Sequence, residues 1–174
     1  MLKKITVFCD ASVSNQNKFA VGAFLVLDQD KFNSLSNLSK NVLKDNIFSQ
    51  IGYLKINTHK STLAELKTFL HVARALDPLE NKDLSFYTDC QTLNDLYGKR
   101  RKKLILCDFK KKDGSSLAHE SIYREIVDIF NSNMITIKKL KGHNSNDRKK
   151  TIDSQIFSIV DYCARKKLRE IIDQ

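Results

Sequence analysis

The sequence predicts a mixed α/β domain, one sheet with helices packed on it. Three observations carry that expectation. The opening is β-rich with alternating side chains, two segments repeat apolar residues at helical spacing, and the elements run βββαβα(α)βα. The 174 residues suit one domain covering 1–174, because compact domains usually hold on the order of 100–200 residues.

Over 4–9, Ile5, Val7 and Cys9 alternate with Thr6 and Phe8, which predicts a strand that ends at Asp10. The polar tip Ser14-Asn15-Gln16-Asn17 predicts a turn, and the apolar run 19–27 a second strand, so the two form a hairpin. A Ser/Asn/Lys-rich connection over 28–46, with a short helix around 38–43, leads to a third strand over 47–56. From 61 to 76, Leu63, Leu66, Leu70 and Ala73 fall at helical spacing, Phe69 and Leu76 widen the stripe, and Pro78 stops it. A fourth strand is expected over 84–90 and a short helix over 92–97. A basic block over 99–112, a helix over 121–130, a fifth strand over 134–140 and a closing helix over 152–172 complete the chain.

Thirty Lys and Arg stand against twenty Asp and Glu, a formal charge of +10. That balance favours a polyanionic partner, either nucleic acid or an acidic membrane surface. No apolar run approaches the roughly 18 residues of a membrane span, which excludes a transmembrane protein. The opening Met1-Leu2-Lys3-Lys4-Ile5 reads straight into a strand and predicts no secretory leader. Cys9, Cys90, Cys107 and Cys163 form no C-x-x-C pair, which argues against zinc ribbons and a disulfide framework. They are expected to be small buried residues in a reducing, cytoplasmic setting.

Carboxylates mark the candidate site. Asp10 and Asp89 are placed at the ends of two strands, and an acid there is costly unless paired or metal-bound. Ligands gather at the carboxyl ends of strands in open α/β sheets. Glu65 precedes Phe69 and Val72 by one and two turns, so it borders the apolar stripe and offers a third carboxylate. On the closing helix, Asp153 near the start is explained by capping. Asp161 sits mid-helix, where it either pairs with Arg165 or supplies a fourth acid. We take Asp161 as the fourth acid.

Ordered this way, the chain resembles the ribonuclease H family over nearly its whole length. The segment ITVFCDAS resembles that family's first strand with its catalytic Asp, here Asp10, followed by Ser12. STLAELKTFLHVARAL resembles its first helix, with Glu65 in the A-E-L triplet, and FYTDCQTL its T-D-S-Q strand exit, with Asp89 and Gln91. ITIKKLKGHN resembles the last strand and K-G-H loop, which points to His143, and DYCAR the D-x-x-A-R of the last helix, which points to Asp161. The interval from His143 to Asp161 is longer than the family's, and Asp153 has the usual spacing. The segment before Glu65 reads His59-Lys60-Ser61-Thr62 instead of an Asn-rich one, and the chain has no Trp.

The resemblance implies a ribonuclease H-like five-stranded mixed sheet, three antiparallel strands then two parallel, flanked by helices. It implies a Mg²⁺-dependent endonuclease, with Mn²⁺ as substitute, that cuts the RNA strand of RNA–DNA hybrids by two-metal hydrolysis and leaves 5′-phosphomonoesters. Asp10, Glu65, Asp89 and Asp161 would hold metal, and His143 would assist proton movement or product departure. Ser12, Gln91 and the block Lys99, Arg100, Arg101, Lys102 and Lys103 would contact nucleic acid. Tyr97 and Phe109 beside that block stack on sugars or pack into the core. A monomer with no membrane partner is expected. The alternatives are a catalytically silent nucleic-acid-binding module of the same fold, or a same-fold nuclease for DNA junctions or single strands.

Overall fold

The computed structural model describes residues 3–36, 38–76, 82–132, 134–140 and 151–174. Strands β1 (Lys3–Ser14) and β2 (Phe19–Asp28) form the expected hairpin, in register from Ile5 opposite Asp28 to Ser14 opposite Phe19. Ser14 Oγ accepts from the Asn17 backbone N–H and from Asn17 Nδ2, each at 3.1 Å. Lys18 closes the turn at φ 55°. The first strand thus runs past Asp10 rather than ending there. The β2 strand pairs with every residue from Ile5 to Ser14, so backbone donors and acceptors remain satisfied beyond the acid.

Two helices follow, α1 (Gln29–Leu35) and α2 (Lys40–Phe48), and strand β3 is only Gly52–Ile56. The expected strand over 47–56 therefore loses its first residues to a helix. Leu43 and Ile47 lie one helical turn apart and are both fully buried. Side-chain burial in the cluster of Ile156 and Val160 outweighs the β-preference of Ile47. Asp28 caps α1 by accepting from the Lys31 N–H at 2.9 Å.

Helix α3 (Ser61–Ala75) leads to β4 (Lys82–Thr88), then α4 (Gln91–Tyr97) and α5 (Lys99–Leu106). The expected basic block is thus largely a helix. Helix α6 (Glu120–Ser132), β5 (Ile135–Lys139) and α7 (Ile152–Ile172) complete the order. The five strands lie as β3-β2-β1-β4-β5. The β1/β2 and β2/β3 pairs are antiparallel, and β1/β4 and β4/β5 are parallel.

Both faces of the sheet are covered, which is why β1 reads as a nearly continuous apolar run. Ile5, Val7 and Cys9 join Phe69, Phe86, Ile126 and Phe130 on the side of α3 and α6. Phe8 points the other way, into a core with Leu25, Leu43, Ile47, Ile156 and Val160. Gly22 lets α3 close on β2, because a Cβ there would lie 2.1 Å from Thr68 Oγ1. Cys9, Cys90 and Cys163 are buried as expected, but Cys107, just after α5, is exposed. Phe109 and Tyr97 belong to the core assembly: Phe109 is buried under Arg124, and Tyr97 meets Phe130 edge-on at 5.5 Å. Among the described residues, no helix is long and apolar enough to cross a membrane.

Candidate active site

The site forms where the central strands part. Parallel pairing of β1 with β4 ends at Phe8 opposite Tyr87, while β1 continues along β2. Asp10 lies just past that divergence, and Asp89 follows the last residue of β4. Glu65 reaches the same place from the second turn of α3, whose Phe69 and Val72 are buried against the sheet. One carboxylate oxygen from each of Asp10, Glu65 and Asp89 lies within 4.8 Å of the other two.

Three like charges at that separation repel, and partial burial amplifies the cost. Asp10 is the extreme case. Burial first and Asp89 second push its pKa up to about 8, against the opposing effect of a hydrogen bond from the Ala11 N–H, with Asp161 and Glu65 adding to the rise. Glu65 is raised by burial, tempered by a hydrogen bond from the Cys90 thiol, and raised further by Asp89. The donor set is therefore all carboxylate oxygen, desolvated and mutually repelling. Such a set fits a hard divalent cation such as Mg²⁺ or Mn²⁺ better than a soft one.

Asp161 on α7 has a side chain only 15% exposed and bonds Arg165 Nη2 at 2.6 Å. It also acts electrostatically on Asp10. The pair with Arg165 and the proximity to the acid cluster, posed as alternatives from the sequence, thus coexist. Asp153 has another environment. Thr151 is the helix cap, its Oγ1 accepting from the Ser154 N–H, so the expectation that Asp153 caps α7 is corrected. For Asp153, burial raises the pKa, against the opposing effects of the Lys138 ammonium and a hydrogen bond from the Tyr87 hydroxyl. Lys138 Nζ in turn donates to Tyr87 Oη at 3.1 Å.

The remaining candidates are distributed around this centre. Ser12 lies on β1 beyond Asp10, opposite Val21. Gln91 opens α4, donates to Asp95 Oδ1 at 2.5 Å and accepts from Lys139 Nζ. On α5, Lys99, Lys102 and Lys103 are exposed. Arg100 lies over the Tyr123 ring at 5.4 Å, and Arg101 Nη1 donates to the Phe130 carbonyl at 3.5 Å. The two arginines thus also hold the helix in place. His143 lies outside the described residues.

Sequence reasoning missed Cys90 and the Tyr87–Lys138 pair. Cys90 is 3% exposed, and its Sγ accepts from the Leu93 N–H at 3.4 Å. Burial and Glu65 push its thiol above the ordinary range, so it stays protonated and can donate. The sequence signal was a thiol where the T-D-S-Q pattern has a hydroxyl donor. The Tyr87–Lys138 pair carried no such signal, because it depends on the β4/β5 register.

No protein-family profile and no curated protein sequence matches the chain. Solved structures do. The chain is similar to the RNase H domain of PFV, with a TM-score of 0.67 and 14% identity over 95% of this chain and 94% of that one. It is also similar to LC9-RNase H1, a type 1 RNase H with the type 2 active-site motif, with a TM-score of 0.65 and 13% identity over 95% of this chain and 72% of that one. A foamy viral protease-reverse transcriptase in complex with RNA/DNA hybrid aligns with a TM-score of 0.58 and 11% identity, over 95% of this chain and 20% of that one. The chain has a ribonuclease H-like fold. Within it, Asp10, Glu65 and Asp89 form a partly buried acidic cluster able to hold a metal ion.

Proposed function

We propose that the protein is a Mg²⁺-dependent endonuclease that hydrolyses the RNA strand of RNA–DNA hybrids. The observation that carries this reading is the convergence of three carboxylates where β1 and β4 diverge, in a ribonuclease H-like sheet. Asp10, Glu65, Asp89 and Asp161 would hold the metal. When bound, divalent ions activate water and stabilise the leaving oxygen of a phosphodiester. Asp10 has the central place in that set, since Glu65, Asp89 and Asp161 all act on its charge.

Substrate binding falls to the chain's own cations. The formal charge of +10 draws a polyanion. The exposed Lys99, Lys102 and Lys103 would neutralise phosphates, with Arg100 and Arg101 beside them. Ser12 and Gln91 flank the acids on the segments that carry Asp10 and Asp89 and would contact the hybrid. His143 would move a proton or help the 5′-phosphomonoester product leave. A neighbour of the same fold holds an RNA/DNA hybrid, which supports that substrate for this chain.

The test is hydrolysis of end-labelled hybrid, duplex DNA and duplex RNA, with and without Mg²⁺, by the wild type and Asp10→Asn. The expected result is metal-dependent cleavage of the hybrid RNA strand, abolished in Asp10→Asn while hybrid binding persists. Binding without any cleavage would make the protein a silent module. Equal cleavage of duplex DNA would move it to a different substrate class.

A further inference from the structure

We propose that the surface where α2, β3 and α7 meet binds single-stranded nucleic acid, with Tyr53 and Tyr162 as stacking platforms for unpaired bases. Neither residue belongs to the acidic cluster, and the binding needs no metal. Among the described residues, Tyr53 and Tyr162 are the only exposed aromatics, at 41% and 44%, and both fall on this one surface. Exposed rings scattered singly are ordinary, whereas rings grouped on one patch mark an interaction site. Phe48 joins the group. Its ring stacks with Tyr162 at 6.1 Å, and with Tyr53 it lines a cleft of about 150 Å³.

The occupant follows from the charge and size of this surface. Lys44 Nζ lies over both the Phe48 and Tyr162 rings, at 5.0 and 5.1 Å, and Lys167 Nζ over the Tyr53 ring at 5.9 Å. Lys166 lines the cleft beside Lys167. Two residues along β3 from Tyr53, on the same face of the sheet, stands Lys55. Against these cations the cleft sets Glu170, 3.2 Å from Lys167 and 3.8 Å from Lys166. The excess of ammonium groups selects a polyanion. Ring faces set among ammonium groups match a chain in which planar bases alternate with phosphates. A duplex keeps its base faces inside the stack, so it offers these rings nothing to stack on. The cleft is also smaller than the roughly 300–1,000 Å³ of a drug-sized ligand site and suits one planar group at a time.

Fluorescence anisotropy of the full chain tests the assignment, in EDTA, with a fluorescein-tagged oligothymidine of about 15 nucleotides and with duplex DNA of the same length. Tyr53→Ala and Tyr162→Ala should each raise Kd for the single strand about fivefold or more and leave duplex binding unchanged. Tyr162→Phe keeps the ring and should bind the single strand as the wild type does. Replacing Lys166 and Lys167 by Gln should reduce the slope of log K against log salt by about 0.7 for each phosphate no longer neutralised. Wild-type affinity for oligothymidine in both Ala variants would overturn the assignment, as would a wild-type protein that does not bind oligothymidine. An equal loss of duplex affinity in the Ala variants would trace the effect to folding and overturn it too. A wild-type dimer on size-exclusion chromatography that both Ala variants dissociate would give the surface to a second copy of the chain instead.

Discussion

Asp10 shows how a single side chain can make the fold depend on pH. Its carboxyl is raised from an ordinary 3.8 to about 8, with burial as the first cause. Between those values the metal-free native state holds a proton that the unfolded chain has released. Stability from this group therefore falls as pH rises from about 4 to about 8. The metal-free protein should melt at a lower temperature at pH 8 than at pH 5. Asp10→Asn should flatten that slope, and Mg²⁺ should raise the melting temperature more at pH 8 than at pH 5. Differential scanning fluorimetry across that range checks all three, and a slope unchanged in Asp10→Asn would show that other groups dominate. At this scale the acids were legible in the sequence, because a carboxylate at the end of an apolar strand or beside a helical stripe conflicts with its surroundings. Cys90 was not, since a buried cysteine is ordinary and its influence on Glu65 exists only once α3 and α4 are docked.

Helix α7 shows what an element adds to that account. Its boundaries, Ile152–Ile172, were legible residue for residue, because a long amphipathic pattern is the strongest local signal. The roles of its two acids were not, because both stand on the same helix and only docking separates them. Asp153 meets Tyr87 and Lys138, whereas Asp161 meets Arg165 and acts on Asp10. Asp161→Asn should lose most Mg²⁺-dependent hydrolysis. Asp153→Asn should retain Mg²⁺ affinity and change stability by less than about 1 kcal/mol in urea melts, because Asn sheds a charge that burial disfavours and keeps an acceptor for Tyr87. Unimpaired hydrolysis in Asp161→Asn would remove it from the metal set. The basic helix divides similarly. Replacing Lys99, Lys102 and Lys103 by Ala should reduce the slope of log K against log salt by about 0.9 for each phosphate no longer neutralised, on the B-DNA scale. Arg101→Ala should instead lower the melting temperature, since its guanidinium holds the Phe130 carbonyl. Helix α2 was the element least visible in advance: Ile47 and Phe48 favour strands locally, and the need to cover Ile156 and Val160 decides otherwise.

Across the whole molecule, the site is assembled from residues far apart in sequence, and this follows from the order of the sheet. The β1/β2 hairpin closes over a four-residue turn and belongs among the fast events of folding, on the order of 1–10 μs. The β1/β4 pair starts with Lys3 opposite Lys82 and must close a far longer span, through a crossover that includes α3. Parallel pairing of this kind is intrinsically slow. The acid cluster is complete only after that late step, so repulsion among Asp10, Glu65 and Asp89 has little part in the early folding reaction. A cation that binds them then acts on a structure absent from the transition state. In stopped-flow denaturant jumps, saturating Mg²⁺ should slow unfolding and leave the refolding rate in dilute urea nearly unchanged. A matching acceleration of refolding would mean that β1 and β4 are already joined at the barrier. The gap that opens between two parallel strands past Phe8 would thus set how long the native state persists, not how quickly it is reached.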